Sequence, residues 1–558
     1  MTVLHTRRGE TPRLHGRSVV ANGERRDVQV EDEMFDVVVV GGGAAGLSGA
    51  LALARARRSV LVVDAGQPRN VVAGHVHNYL TREGTPPAEL IAAGRDEVSR
   101  YGTEIVAGRV ETAARAGEGF LVRLDGGNSV RTRRLLVTTG LVDEMPDVPG
   151  VAERWGRDVL HCAYCHGWEV RDRRIGVLAT WPLAAYQADL WRQWSPHVML
   201  LLHDTAAPGA EEAERLAARG ITVVDGLVAG FELAGDTLTG VRLTSGEVVA
   251  LDIVVVAPRF TARAGVLESL GLTPVDVEID GHVIGSQIPA DSTGATSVPG
   301  VWVAGNVSDV RAQMITAAAA GLNAGAAINA DLVAEDTRDA VDTYRHRVRT
   351  MFDESAWEER YRARPAVWSG NTNPQLVAEA AELTPGRALD VGSGEGADAV
   401  WLAKRGWRVT AVDISTTALQ RGAAHAATAG SDVAGRIDWT HADLRDHAPA
   451  ESAYDLVSSQ FMHLPGEARR ELFARLAAAV APGGILLIVG HDPSDLRTTA
   501  HRMHFPDMMF TAEEVASSLN PTAWEVLAAE ARPRAMVDPE GRDITIHDAV
   551  LVARRRPA

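Results

Sequence analysis

Phe35 to Val40 is apolar at every position but Asp36 and ends in four consecutive valines, followed at once by Gly41-Gly42-Gly43-Ala44-Ala45-Gly46. An Ala/Leu-rich stretch from Leu47 to Arg57 comes next, then a second apolar run from Ser59 to Val63 that ends at Asp64. An apolar run without alternation is what a strand buried on both faces of a parallel sheet requires. Two such strands joined through a helix can only be wound as a right-handed crossover, so this segment commits the chain to an α/β sheet. The first glycines permit a tight turn and close approach of a pyrophosphate. Gly46 lets the helix pack on the strand, and Asp64 stands where a ribose hydroxyl would be held. Gly41, Gly43, Ala44, Ala45, Gly46 and Asp64 are therefore candidate nucleotide-binding residues.

The pattern recurs. Ala388-Leu389-Asp390-Val391-Gly392-Ser393-Gly394-Glu395-Gly396 is again a strand running into glycines, and the strand from Arg408 to Val412 ends at Asp413. Between the two copies, residues 135–140 and 301–306 are strands ending in Gly140 and in Gly305-Asn306, and a small-residue helix is expected from about Gln313 to Ala330. Residues 336–383, with Trp357, Tyr361, Trp368 and Asn373-Pro374, read as a linker and approach to a new unit.

The chain has two cysteines, three apart, in His161-Cys162-Ala163-Tyr164-Cys165-His166-Gly167. One CxxC and no other thiol fits a reducing, cytoplasmic setting, where such a pair is redox-active rather than structural. Thiolate is the reacting form, and a helix N-terminus lowers the thiol pKa. His166 can move a proton near neutral pH. Haem attachment would need export, and zinc would need two further ligands, which His161 and His166 could supply; neither is expected, and no metal is assigned. The net charge of −17 disfavours nucleic acid and anionic membrane as partners. Residues 1–34, rich in Arg and Glu, read as a disordered leader without a signal peptide.

The strand–glycine pieces and the CxxC together resemble the low-molecular-weight thioredoxin reductase family of flavoproteins over about residues 35–335. The resemblance implies a split FAD-binding domain, 35–145 and 256–335, around a second nucleotide domain, 146–255, that carries the CxxC. It implies that Gly140, Gly305, Asn306 and Gln313 join the FAD site, with Asn306 standing where the family has Asp. It places Cys165 against the flavin and Cys162 outward, exchanging with substrate. The family usually has an acid after the second cysteine; Cys-x-x-Cys-His-Gly also occurs in related dithiol oxidases that close disulfides in sulfur-rich natural products. The family's NADPH loop falls here at Ala179-Thr180-Trp181-Pro182-Leu183-Ala184, which has no glycine, and the next strand runs into His203-Asp204 without a following arginine. A bulky indole and several Cβ atoms would fill the space of a pyrophosphate. NADPH binding is therefore in doubt, and a flavin–dithiol oxidase is favoured over an NADPH-fed disulfide reductase.

Residues 352–556 resemble the class I S-adenosylmethionine-dependent methyltransferases. The resemblance assigns Asp390, Gly392, Gly394 and Gly396 to the first motif, Asp413 to the ribose diol, Asp443 to adenine N6, and Ser459 to the substrate end of the fourth strand. Trp357, Tyr361 and Trp368-Ser369-Gly370 resemble small-molecule methyltransferases of the thiopurine and tellurite-resistance type. A thiolate acceptor needs little acid–base help, whereas an oxygen acceptor would want a base such as His463 or His491.

The expected architecture is a two-domain Rossmann-like flavoprotein, a linker at 336–370 and a methyltransferase domain at 371–558. The expected function is dithiol oxidation at Cys162, Cys165 and His166 with FAD, coupled by fusion to methyl transfer onto a small molecule, a thiol being the candidate that would give both halves one substrate. NADPH-dependent disulfide reduction, and a flavin that senses redox state and gates methyl transfer, remain open alternatives. So does homodimer formation.

Overall fold

The computed structural model describes residues 34–462, 464–500 and 506–557; the expected leader, apart from Met34, lies outside them. The chain divides into two compact units between Thr337 and Arg338. No described helix is long and apolar enough to cross a membrane.

In the first unit, the strand Met34–Val40 lies between Val60–Asp64 and Ser129–Val137, parallel to both. Glu104–Ala107 extends the sheet on one side, and the antiparallel strands Gly119–Leu124 and Val110–Ala116 extend it on the other. Late in the chain, Val301–Val303 returns to pair in parallel with Ser129–Val137. The valines at 37–40 are continuous because both faces are covered there, whereas Asp36 lies at the sheet margin, paired with Arg133. Val38 and Val40 enter one core cluster with Phe120 and Leu135, while Val37 and Val39 enter another with Leu53 and Ile328.

The helix Ala44–Arg55 lies against the later helix Met314–Thr350 at glycine contacts too close for any side chain. A Cβ on Gly321 would sit 1.9 Å from the Ala45 carbonyl oxygen, and one on Gly325 2.7 Å from that of Gly49. The small-residue stretch after 313 is thus a backbone-to-backbone packing surface. The sequence placed the end of this helix near Ala330, but the helix runs on to Thr350. Its continuation is charged, and a change of composition read as a linker is instead a solvated helix: no Gly or Pro interrupts residues 326–350. Arg133 anchors part of it, donating to Asp36 (2.9 Å) and Glu335 (2.6 Å).

Residues 159–255 build a second parallel sheet, in the order Thr222–Val224, Val198–Leu201, Ile175–Leu178, Ile253–Val255, Val159–Leu160, beside a three-stranded antiparallel meander. Leu141–Glu144 and Arg259–Ala262 pair antiparallel where the chain leaves and re-enters this region.

The second unit is one seven-stranded sheet, ordered Ile437–His441, Arg408–Asp413, Arg387–Val391, Tyr454–Gln460, Val480–His491, Asp543–Arg555, Trp524–Val537. The first five strands are parallel and the last two antiparallel to their neighbours. The strand order reverses beside Arg387–Val391, and the crevice outside the carboxyl ends of strands at such a reversal is where open α/β sheets bind ligands.

Candidate functional site

The first unit holds a cavity of about 1320 Å3, above the roughly 300–1,000 Å3 of pockets for drug-sized ligands. Gly41, Gly43, Ala44, Ala45, Asp64, Gly140, Gly305, Asn306 and Gln313 all line it, as do Cys162, Cys165 and His166. Gly46 lies beneath, where a Cβ would stand 1.9 Å from the Gly41 carbonyl oxygen. Gly41 has φ +108°, and its Cβ would strike the Thr138 carbonyl at 2.6 Å. A Cβ on Gly43, by contrast, would meet no protein atom within 4 Å. The turn is therefore closed from below by backbone and open above at one residue, the shape a phosphate needs. Asp64 is paired with Arg95, a partner the sequence did not suggest.

Asn306 is held by its own amide. Its Nδ2 donates to the carbonyl oxygens of Asp309 (3.0 Å) and Ala312 (2.9 Å), and its Oδ1 accepts from Arg69 at 3.3 Å. A carboxylate could not donate those two bonds, which is a local reason for Asn here. One lone pair of Oδ1 is left for a ligand hydroxyl. Arg69 itself is fixed by Asp143 (2.8 and 2.6 Å) and lies over the Phe260 ring. The residues present fit a flavin dinucleotide: a glycine cradle, an acid at the second strand, and a cavity of sufficient size.

Cys162 and Cys165 are joined as a disulfide, with Cα atoms 5.2 Å apart. Cys162 caps the single helical turn Ala163–His166, accepting from the Cys165 N–H at 3.2 Å. One turn supplies a few oriented N–H groups rather than a long helix dipole. Gly167 completes the motif for a steric reason: a Cβ there would lie 2.5 Å from the Ala163 carbonyl and 2.7 Å from Trp194. Burial holds the His166 imidazole below its ordinary pKa, with Glu169 opposing and His77 adding to the shift, so the ring is neutral at neutral pH and able to accept a proton. His161 is also lowered, mainly by burial. Its Nδ1 is taken by the Val256 carbonyl (2.9 Å) and its ring stands edge-on to Phe260, a structural setting.

A second acid–base group lies on the same cavity, unanticipated apart from the His75-Val76-His77 spacing visible in the chain. His77 Nδ1 is 2.6 Å from Glu83 and its Nε2 is 3.5 Å from Glu169. The loop is tied to the cysteine turn by Asn78, whose Nδ2 donates to the Tyr164 carbonyl at 2.8 Å.

In the second nucleotide-type sheet, the turn after Ile175–Leu178 is filled by protein. Ala179 and Ala184 are buried, and Trp181 packs into two apolar clusters. The Trp181 indole N–H points at Gln187 (3.4 Å), which in turn donates to the His161 carbonyl (3.3 Å).

In the second unit, Gly392, Gly394 and Gly396 all have left-handed φ, +67°, +52° and +81°. Packing adds to this at Gly396, where a Cβ would meet the Trp439 ring at 2.4 Å; at Gly392 and Gly394 it would only press on the Met462 sulfur and on the Trp368 and Tyr361 polar atoms at 3.1 Å. Asp413 accepts from the N–H groups of Gly394 and Ser415, both at 2.8 Å. Asp390 and Ser459 are buried, and Asp390 Oδ2, Ser393 Oγ and Ser459 Oγ have no partner within the protein. Three orphaned buried acceptors around one turn fit a ligand with a cationic amino-acid end and hydroxyls. Asp443 is placed differently from a free adenine acceptor. Arg445 holds both its oxygens, at 2.7–3.1 Å, and lowers its pKa against the opposing effect of burial. His491 lies tilted against Phe461, ring centroids 4.7 Å apart, and His463 lies outside the described residues.

The approach segment is seated on this turn by polar residues the sequence did not single out. Glu358 accepts from Ser415 Oγ (2.6 Å) and Thr417 Oγ1 (2.5 Å), which hold its carboxyl at about 2 against the cost of burial. Glu395 accepts from the N–H groups of Val367 and Trp368 and from Arg421 (2.9 Å). Trp368 Nε1 donates to the Tyr361 hydroxyl at 2.8 Å.

Residues 35–321 match the pyridine nucleotide-disulphide oxidoreductase family, just over half the chain, and residues 388–484 match a methyltransferase domain family. Among similar proteins, "Thioredoxin reductase tcpT" of Claviceps purpurea is 33% identical over 260 residues, 43% of this chain and 78% of that protein. "Thioredoxin reductase sirT" of Leptosphaeria maculans is 29% identical over 321 residues, 54% of this chain and 96% of that protein. The crystal structure of HlmI is 45% identical with a TM-score of 0.52, covering 59% of this chain and all of that one.

Proposed function

The chain belongs to the pyridine nucleotide-disulphide oxidoreductase family and carries a methyltransferase domain after it; from this we propose a bifunctional enzyme whose first half oxidises a small dithiol and whose second half methylates a small molecule, a thiol being the acceptor both could share. Gly41, Gly43, Ala44, Ala45 and Gly46 would hold the FAD pyrophosphate, Asp64 a ribose hydroxyl, and Gly140, Gly305, Asn306 and Gln313 the remainder. Bound there, FAD would supply a two-electron acceptor for the cysteine pair, drained in turn by dioxygen or another acceptor. Cys162 exchanges with the substrate, Cys165 passes the electrons inward, and His166, neutral through burial, takes a thiol proton.

The observation that carries oxidase over reductase is Trp181. Its indole and the buried Ala179 and Ala184 occupy the turn that would have to cradle a nicotinamide dinucleotide. Reduction by NADPH is the second reading, favoured by the relatives named thioredoxin reductases. Anaerobic stopped-flow separates them. We expect reduced lipoamide to bleach the flavin of the full-length protein and NADPH or NADH to bleach it at least about 10²-fold more slowly. Faster bleaching by NADPH sinks the oxidase reading.

Asp390, Asp413 and Ser459, with Gly392, Gly394 and Gly396, would hold S-adenosylmethionine, and Asp443 would reach adenine only while sharing its carboxylate with Arg445. Burial, with the charges of Asp398 and Asp413 adding to it, raises Asp390 well above its ordinary value, and burial raises the neighbouring Asp398 to about 6. A cationic ligand needs these carboxyls ionised. We expect S-adenosylmethionine affinity, by titration calorimetry, to fall by up to about tenfold per unit as pH drops through about 6, where Asp398 takes up its proton. Stability without ligand moves the opposite way. A carboxyl whose folded pKa lies above its unfolded value stabilises at low pH, and Asp398's contribution is lost as pH rises from about 4 to about 6. Affinity that does not change between pH 7 and pH 5 would exclude this role for the two carboxyls.

A further inference from the structure

We propose that His77, held by Glu83 and facing Glu169, is a second proton acceptor for the dithiol reaction, working beside His166 so that each substrate thiol has its own base. The inference rests on the dithiol-oxidase reading above. A dithiol must give up two protons, and at neutral pH each thiol, with an ordinary pKa of about 8.5, is only a few per cent ionised. His166 alone can hold one.

The geometry brings His77 to the same place. His77 lines the cavity that the disulfide and His166 also line. Its Nδ1 lies 2.6 Å from Glu83, which fixes the ring and stabilises the imidazolium that forms. Its Nε2 lies 3.5 Å from Glu169, three residues beyond His166 on the turn after the cysteines. The charged and titratable groups bearing on His77 are thus Glu83 from its own loop, Glu169 and His166 from the cysteine segment, and His75, whose ring is 6.2 Å away. Glu83 and Glu169 are exposed, so a proton taken by His77 has a short way to solvent. Asn78 clamps this loop to the main chain between the cysteines.

The balance closes. The Cys162–Cys165 disulfide is the oxidant. One substrate thiolate bonds to Cys162 sulfur as the Cys162–Cys165 bond breaks, and Cys165 leaves with the electron pair. The second substrate thiolate bonds to the first substrate sulfur, the mixed disulfide breaks, and Cys162 leaves as thiolate. The substrate has lost two electrons, now on the cysteines, and two protons, one on His166 and one on His77.

The test is anaerobic stopped-flow of the full-length, flavin-loaded protein with reduced lipoamide from pH 6 to 10, for wild type, His77→Gln and Glu83→Gln. His77→Gln should bleach about 10²-fold more slowly at pH 7 and come within about threefold of wild type at pH 10, where the substrate ionises unaided. Glu83→Gln keeps the ring but removes its carboxylate. It should lower the plateau and move the ascending limb to lower pH, a change that loosened packing alone would not make. If wild type bleaches and His77→Gln matches it at every pH, or is slowed equally at pH 7 and pH 10, the second-base role is overturned. If wild type itself is not bleached by the dithiol, the oxidase reading falls and this inference with it.

Discussion

Cys165→Ser should leave the full-length protein yellow and folded yet unable to pass electrons from a dithiol to its flavin, a loss of about 10³-fold or more in the bleaching rate. The chain has no other cysteine beyond Cys162, so nothing can replace the covalent step. Cys162→Ser should be equally dead, but on the proposed assignment for a different reason: Cys165 would remain beside the flavin with no sulfur left to face the substrate. The two cysteine roles separate on addition of a thiol-reactive probe to the dithiol-reduced wild type, where Cys162 should be modified first. Unimpaired bleaching in either variant would remove the cysteine pair from the reaction. Methyl transfer by the second half should persist in both, because its glycine turn and acids belong to a separate unit.

The second large effect concerns the glycine turn, where two neighbouring substitutions should fail in distinguishable ways. Gly46→Val puts a Cβ 1.9 Å from the Gly41 carbonyl, a contact that backbone must move to relieve. We expect a first unit destabilised by about 3 kcal/mol or more and recovered colourless. Gly43→Val meets no protein atom within 4 Å of the added Cβ. It should fold with wild-type thermal stability of the apoprotein but weaken FAD binding about 10²-fold or more, roughly 2.7 kcal/mol, because the side chain occupies the phosphate's place. Flavin content after gel filtration, with a thermal melt of the apoprotein, reads both. Full flavin retention by Gly43→Val would show that the turn does not carry the pyrophosphate.

The α/β class was legible in the chain because parallel strands buried on both faces are apolar nearly throughout. Val37 to Val40 obey that rule, with Val37 and Val38 going to opposite buried faces; the exceptions are Asp36, which pairs with Arg133, and the buried Asp390 at the glycine turn. The glycine turns were legible because a left-handed backbone and a missing Cβ leave only one residue type. The CxxC was legible because cysteine is rare here. The helix after Gln313 was underestimated for a physical reason too: its continuation at 336–350 is rich in Asp, Thr and Val, weak helix formers, so local propensity does not announce it.

What the sequence by itself determined is what local rules determine: two nucleotide-type sheets marked by glycine and acid, one dithiol, and a second nucleotide loop crowded by Trp181. The tertiary structure decided which distant side chains share a site. His77 and Glu83 come to the cysteines, Arg69 reaches Asn306, Arg95 pairs with Asp64, and Glu358 reaches Ser415 and Thr417. No spacing encodes those meetings. They follow from chain crossovers that bring loops from separate segments to the same strand ends, where charges desolvated together must find partners.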